Sequence, residues 1–282
     1  MLIRTEFDIQ FYSAFATPMI ALLHLDPSID GSVRSGNELR VEVDGATVPF
    51  REYNDSFGNR CTRFVAPPGR LKLSSEAIVE RPDTTDEIAA DAQQAPIDEL
   101  PAEVLQFLLP SRYCEVDRFS PIAQDLFGGY SPGWTRATAI RDWVHNKVQF
   151  DYKAARPTKT AMDVFTERIG VCRDFQHLAV TLSRCQNIPA RYVTGYLGDI
   201  RIPYSGPGDF SAWYQVWLDG RWWTMDARHN DPRYGRVLMA TGRDAADVAI
   251  TTAFGRADLM NFYVEANEID QDGKALPVPG KL

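Results

Sequence analysis

Polar and apolar positions alternate along the first eighty residues of the chain. In the segments 4–12 and 39–43 apolar residues recur at every second position, and the second segment runs directly into Asp44-Gly45. A period of two is typical of strands with one buried face, and Asp-Gly favours a tight hairpin turn. More short runs of this kind follow. The pattern predicts an N-terminal β-sandwich over residues 1–82.

The remainder of the chain has a different organisation. Residues 83–97 are acidic, rich in alanine and glutamine, and lack aromatic side chains, which is typical of a linker. From residue 98 apolar residues recur at helical spacing, and one helix is predicted over 171–186 before strand patterns return. We therefore predict an α+β core over 98–268 and a loose tail over 269–282.

Composition narrows the possible partners. The chain has 282 residues and a formal net charge of −8. This balance disfavours nucleic acid and anionic membranes, which need clustered lysine and arginine. No apolar run is long enough to span a membrane, and the acidic N-terminus does not resemble a signal peptide. We expect a cytoplasmic protein with no metal and no cofactor, because no cluster has metal-ligand spacing.

One cysteine lies in a position that favours chemistry. Cys172 follows Gly170-Val171 in the first turn of the predicted helix, where free N–H groups and the helix dipole stabilise a thiolate and lower its pKa. The same N–H groups can stabilise an oxyanion. The alternative is that Cys172 is a small buried apolar residue. The other cysteines, Cys61, Cys114 and Cys185, are interpreted as structural free thiols.

Three ordered blocks resemble the core of bacterial transglutaminase-like cysteine proteases. They are 160–175 with Gly-Val-Cys-Arg-Asp-Phe, 187–196 with Asn-Ile-Pro-Ala-Arg-Tyr-Val-Thr-Gly-Tyr, and 212–227 with Ala-Trp-Tyr-Gln-Val-Trp and Met-Asp-Ala. The segment Phe57-Gly-Asn-Arg60 is similar to the β domain that precedes this core in the same proteins. The resemblance covers nearly the whole chain, and the ordered set is much more specific than any single block.

The resemblance implies a papain-like core, with the cysteine helix packed on an antiparallel sheet, and a Cys-His-Asp triad. Cys172 would be the nucleophile and Asp226 the residue that orients the base. The family's histidine precedes the Ala-Trp pair, and in this chain that position is Ser211. The implied activity is hydrolysis or acyl transfer through a cysteine thioester on peptide or protein amides.

Hairpin geometry tests this assignment from the residues themselves. A two-residue turn at Asp219-Gly220 pairs Leu218 with Arg221, and counting outward pairs Trp213 with Asp226 and Ser211 with Arg228. Ser211 and Asp226 then lie diagonally on one face of the hairpin, with ~7–8 Å between the points where their side chains attach to the backbone. An imidazole at position 211 could bridge much of that distance, whereas a serine hydroxyl cannot, and it cannot act as a base near neutral pH.

Other side chains are candidates to replace the missing histidine or to contact the substrate. His229 would face away from Asp226 if the strand continued regularly, although the loop could turn it back. His177, five residues after Cys172, is expected to pack rather than to reach the sulfur. Trp213 is a candidate to line a substrate groove. Trp217 and Trp222 are expected to stabilise the hairpin as a cross-strand pair.

Two functions therefore remain open. The first is a thiol enzyme in which Cys172 attacks an amide and Asp226 supports a relocated or water-mediated base. The second is a catalytically impaired member of the family whose cleft binds a peptide or a protein. A purely structural two-domain protein is a third reading.

Overall fold

The computed structural model describes residues 1–280 and shows sixteen strands and five α-helices in that range. The strands are β1 (Leu2–Ser13), β2 (Thr17–Ala21), β3 (Val33–Gly36), β4 (Arg40–Val43), β5 (Ala46–Thr47), β6 (Phe50–Asn54), β7 (Arg60–Ala66), β8 (Gly69–Glu80), β9 (Gln149–Phe150), β10 (Ile169–Gly170), β11 (Ala190–Tyr196), β12 (Phe210–Leu218), β13 (Arg221–Met225), β14 (Val237–Gly242), β15 (Thr251–Ala253) and β16 (Asp258–Ile269). The helices are α1 (Ala102–Leu105), α2 (Val116–Phe127), α3 (Trp134–Lys147), α4 (Ala161–Glu167) and α5 (Cys172–Cys185). No helix in residues 1–280 is long and apolar enough to cross a membrane.

Two antiparallel sheets form the N-terminal sandwich. One has the order β16-β1-β8-β4-β5, with β3 added to β8, and the other has the order β15-β2-β7-β6. Burial alternates along β1, so that Ile3, Phe7 and Ile9 enter the core while their neighbours face outward. The alternation in the sequence therefore reflects a buried face, and the predicted sandwich is confirmed.

The predicted boundary at residue 268 does not match the sheet pairing. β15 pairs with β2, and β16 pairs with β1 along its length, from Leu2 opposite Ile269 to Tyr12 opposite Asp258. The C-terminal strands thus belong to the N-terminal sandwich. β16 joins it because its buried positions, among them Val264 and Ala266, extend the apolar face of β1. Pairing between distant strands leaves no local signal in the sequence.

The described part of the tail, which is expected to be loose, makes backbone hydrogen bonds within itself and to the end of β16. The N–H of Asp270 donates to the carbonyl of Lys274, and the N–H of Leu276 donates to the carbonyl of Glu268 at 2.8 Å. Residues 270–280 thus fold back onto the end of β16. Residues 281–282 of the predicted tail lie outside the described residues.

The core consists of a third antiparallel sheet, with the order β13-β12-β11-β14, on which α5 packs. Residues 174–184 of α5 are all buried, because α2, α3 and α4 cover the side of the helix that the sheet does not. This agrees with the predicted papain-like core. The short parallel pair β9–β10 leads into the start of α5.

Hydrogen bonds join the sandwich to the core. The buried amide of Asn59 donates to the carbonyl of Thr241 and accepts from its N–H, at 2.9 and 2.8 Å. Asn59 belongs to the Phe-Gly-Asn-Arg segment, so that motif fixes β14 to the sandwich. The predicted linker 83–97 has little regular structure but lies against the core, where Thr85 bridges to Tyr234.

Candidate active site at the start of the cysteine helix

The first turn of α5 fixes the position of Cys172. The fully buried Asp174 accepts a hydrogen bond from the N–H of Val171 at 3.0 Å and a second from Nε of Arg173. This caps the helix end through a residue inside the first turn. A Cβ on Gly170 would lie 2.7 Å from the Cβ of Asp174, so only glycine allows this approach. Cys172 is thereby the first residue of the helix and is half-buried.

The surroundings of the sulfur do not favour a thiolate in the free protein. Burial and the carboxylate of Asp209 raise the pKa of the Cys172 thiol to about 11, and Asp226 adds to the effect. The N–H groups of Ala212 and Arg173 lower this pKa but do not compensate. The direction of this pKa shift is opposite to the one expected from the position at the helix start. Loss of solvation and nearby negative charge outweigh the two N–H groups at the sulfur.

The hairpin has the predicted turn but ends earlier than predicted. Leu218 pairs with Arg221, and the register continues to Tyr214 opposite Met225. The rings of Trp217 and Trp222 meet edge-on at 5.2 Å, as expected. Beyond Met225 the chain leaves the strand, so the predicted pairs 213–226 and 211–228 do not form.

A tight turn after β13 returns His229 to Asp226. The N–H groups of Arg228 and His229 both donate to Oδ1 of Asp226, at 2.9 and 3.1 Å, and the N–H of Asn230 donates to its carbonyl. Asn230 has a φ of 60°, a left-handed conformation that asparagine tolerates. The turn brings Nδ1 of His229 to 3.0 Å from Oδ2 of Asp226. The strand does not continue regularly, and the loop turns His229 towards the carboxylate.

Asp226 is held as a buried carboxylate by groups from three directions. Gln176 on α5 donates to Oδ1, and Nη2 of Arg236 donates to Oδ2 at 2.9 Å, beside His229. Burial would raise the pKa of Asp226, but the charge of Arg236 and the hydrogen bond from His229 hold that pKa well below its usual range. The carboxylate is therefore ionised at neutral pH and can orient an imidazole.

Two supporting residues were not identified from the sequence. The buried side chain of Gln176, one turn after Cys172, donates to the carbonyl of Ala212 and accepts from the N–H of Ala227 at 3.2 Å. Asp86, in the predicted linker, binds Nε of Arg236 through both carboxylate oxygens, at 3.0 and 2.9 Å. The spacing of Gln176 four residues after the cysteine was the one available signal. Nothing in the sequence indicates the contact of Asp86.

Ser211 and Trp213 lie on β12 but differ in exposure. Ser211 pairs with Gly195 and is half-buried at the edge of a cavity. Trp213 is only 2% exposed, and its ring lies against Gly195, where an added Cβ would be 2.6 Å from Cη2. The guanidinium of Arg236 stands 5.1 Å from the ring centre. Trp213 is therefore a buried support of the site and does not line the cavity that contains Cys172.

Cys172, Ser211 and His229 line one cavity of about 460 Å³. Its walls come from the core, from the loop between β11 and β12, and from β16 of the sandwich. Other residues in its lining are Phe150, Tyr152, Asp209, Arg228, Phe262 and Tyr263. His177 is instead buried between the rings of Tyr113 and Tyr192, as expected for a packing residue. Within residues 1–280 no group of three His, Cys, Asp or Glu side chains could hold a metal.

Known proteins share this architecture. The sequence profile of the Transglutaminase-like superfamily matches residues 120–227. A solved structure from Cytophaga hutchinsonii, named a putative cysteine protease, is 32% identical, with a TM-score of 0.84 over 98% of this chain and 93% of its own. An uncharacterized protein of Mycobacterium leprae is 30% identical over 222 residues, 74% of this chain and 77% of the relative. The chain belongs to the transglutaminase-like superfamily.

An uncharacterized protein of Mycobacterium tuberculosis is 34% identical over 113 residues, 35% of either chain. Membership of the superfamily supports a thiol-enzyme scaffold and confirms the resemblance drawn from the three sequence blocks. In this member of the superfamily, the hydrogen-bonded imidazole beside the acid comes from the turn after β13, and Ser211 occupies the strand position.

Proposed function

We propose that this protein is a thiol hydrolase or acyltransferase that acts on amide groups of peptides or proteins, with Cys172 as nucleophile and His229 as base. The observation that carries the proposal is the 3.0 Å contact between Nδ1 of His229 and Oδ2 of Asp226, in a ring that lines the same cavity as Cys172. A nucleophile, an imidazole and an orienting acid are the parts that thiol catalysis requires.

The mechanism follows from the two pKa shifts. Because Asp226 is ionised, its Oδ2 accepts the Nδ1–H of His229 and leaves Nε2 free to accept a proton. Because the pKa of Cys172 is raised to about 11, the thiol keeps its proton until the attack. Nε2 takes that proton as Sγ bonds to the amide carbon, and the imidazolium returns it to the leaving amine. Water or an acceptor amine then cleaves the thioester on Cys172.

In this proposal Ser211 takes no part in proton transfer and leaves room for His229 to act. Its hydroxyl is too short to reach the carboxylate from the strand, and it has no proton-accepting form near neutral pH. A serine at this position leaves space in the cavity and leaves Oδ2 of Asp226 available to His229. We therefore regard Ser211 as a wall residue that can orient a water or a substrate amide.

A second function is favoured by one observation. The thiol pKa of about 11 means that little thiolate exists at neutral pH in the free protein. A cavity with an unreactive sulfur would bind a peptide or protein segment without cleaving it. The two functions differ in whether His229 is needed for turnover.

Substitutions at His229 and Ser211, the two candidate positions for the base, distinguish the enzyme from the binding protein. The purified protein is assayed against a panel of peptide amides and thioesters. His229→Ala should lower kcat/KM by about 10²–10⁴, because a general base is lost. His145→Ala, on α3 outside the cavity, is the matched control and should retain activity.

The variant Ser211→His gives the opposite readout. If the wild-type protein is inactive and activity appears only in Ser211→His, the relocated base is refuted and the binding function is supported. If wild-type turnover survives His229→Ala unchanged, the assignment of His229 is also refuted.

We further propose a cytoplasmic location, supported by four unpaired cysteines that suit a reducing compartment.

A further inference from the structure

We propose that the substrate carries a positively charged group, an ammonium or a guanidinium, next to the reacting carbonyl, and that Asp209 binds it. This inference rests on the proposed function, since it names the substrate class of the same cavity. It concerns a carboxylate that the sequence did not single out and that the proposed mechanism does not use.

The position of Asp209 is set by β12. It directly precedes the strand and lies two residues before Ser211, and alternate residues of an extended chain point to the same side. Both residues line the cavity together with Cys172. The charge of Asp209 is also felt at the sulfur, where it is the largest charge that opposes the thiolate. Asp209 therefore faces the reaction centre.

Asp209 differs from the other carboxylates of the cavity. Asp199 lies 3.7 Å from Nη2 of Arg233 and accepts from Ser205, and Glu265 accepts from the hydroxyl of Tyr263. Among residues 1–280 no ion pair includes Asp209. Loss of water around the carboxylate in the cavity raises the pKa of Asp209 to about 6, although the residue keeps an exposed surface, and the N–H of Phe210 opposes this rise.

The basic side chains that line the cavity have other partners. The guanidinium of Arg228 lies 3.9 Å from the ring centre of Phe150, Arg233 faces Asp199, and His229 is bound to Asp226. None of these contributes to the pKa of Asp209. At neutral pH the cavity therefore presents an ionised carboxylate without a counter-charge, next to a nucleophile whose ionisation it opposes.

A cationic substrate group would supply the missing counter-charge of Asp209 and would remove its repulsion of the thiolate at Cys172. An ammonium or guanidinium at Asp209 gains a charge-assisted hydrogen bond, and its arrival cancels the repulsion that Asp209 exerts on the developing thiolate. A neutral or anionic group at the same place would leave the repulsion intact or increase it. The carboxylate thus selects the substrate by charge and makes the thiol more reactive when the correct charge is bound.

Thiol-specific reagents of different charge test this without requiring turnover. Cys172 is modified at pH 7.5 with three reagents: the cationic 2-aminoethyl, the neutral methyl and the anionic 2-sulfonatoethyl methanethiosulfonate. Each rate is followed by peptide mass spectrometry and divided by the rate with N-acetylcysteine. In the wild-type protein the cationic reagent should be faster than the anionic one by about tenfold or more.

Variants assign this preference to one side chain. Asp209→Asn should reduce the ratio to about threefold or less, and Asp209→Glu should preserve it. Asp125→Asn removes the same charge from an exposed position on α2 and should leave the ratio unchanged. Equal normalised rates in the wild-type protein, or an unchanged ratio in Asp209→Asn, would overturn the proposal.

A second measurement uses dipeptide aminocoumarin amides that carry lysine, norleucine or glutamate beside the scissile bond. Turnover that favours lysine, and loses this preference in Asp209→Asn, supports the proposal, whereas a preference for norleucine or glutamate overturns it. If no substrate is turned over, the proposed function fails, while the reagent rates still decide whether Asp209 selects cations.

Discussion

Replacing Gln176 by leucine tests whether one buried amide holds the site together. This side chain links three elements, because it contacts the carbonyl of Ala212 on β12, the N–H of Ala227 and Oδ1 of Asp226 from its position on α5. All of these groups are buried. Leucine has a similar size but can form none of the hydrogen bonds.

The magnitude follows from the groups that lose a partner. An unpaired N–H at Ala227 costs about 1–3 kcal/mol, and one hydrogen bond fewer to the ionised Asp226 costs about 1.5–3 kcal/mol. The added apolar surface of leucine returns about 1 kcal/mol. We expect the free energy of unfolding to fall by about 3 kcal/mol. Turnover should also fall, because the turn that carries His229 loses its anchor to the cysteine helix.

Urea denaturation followed by tryptophan fluorescence measures the first effect. The matched control is Gln124→Leu on the exposed face of α2, which makes the same change within a helix and should alter the free energy by less than about 0.5 kcal/mol. A loss below about 1 kcal/mol in Gln176→Leu would refute the reasoning, since it would mean that the buried groups find other partners.

Three further results are expected. Arg236 holds the pKa of Asp226 below its usual range, so this ion pair stabilises the protein above about pH 4, and the stabilisation is lost as the pH falls further. Urea midpoints measured across pH 2–7 should fall with this loss in the wild type. The same fall should be absent in Asp226→Asn. Asp209 has a raised pKa, so its ionisation lowers the free energy of unfolding. This loss of stability is absent below pH 3.8 and complete above about pH 6. Asp209→Asn should therefore stabilise the protein at pH 7 by up to about 1 kcal/mol, after allowance for its exposure, and not at pH 3.5. Gly170→Ala should destabilise it by about 1–3 kcal/mol in the same assay, because the new Cβ meets Asp174; a neutral effect would show that the first turn of α5 can shift.

Local signals in the sequence were sufficient for several elements. The Gly-Val-Cys segment predicts a helix that begins near residue 171, and α5 begins at Cys172. The Asp219-Gly220 pair predicts the turn between β12 and β13, and the register next to it is the observed one. In both cases neighbouring residues decide the structure, because a glycine that allows a close approach and a two-residue turn act over a few positions.

Other features depend on contacts that a local pattern does not contain. β16 pairs with β1 across almost the whole chain, so its place in the sandwich depends on a matching apolar face about 260 residues away. The end of β13 depends on Asp226, whose buried carboxylate accepts the N–H groups of Arg228 and His229 and turns the chain back. The ion pair of Asp86 with Arg236 depends on the path of a segment without regular structure.

These contacts explain how a serine at position 211 is compatible with an ordered acid and imidazole pair. Gln176, Arg236 and the two N–H groups of the turn hold Asp226 without any contribution from position 211. The carboxylate therefore keeps its position and its charge whichever residue occupies position 211. One lone pair of Oδ2 remains for an imidazole, and the turn that the carboxylate itself organises delivers His229 to it. On this reasoning the acid is the fixed part of the site, and the element that supplies the imidazole can change.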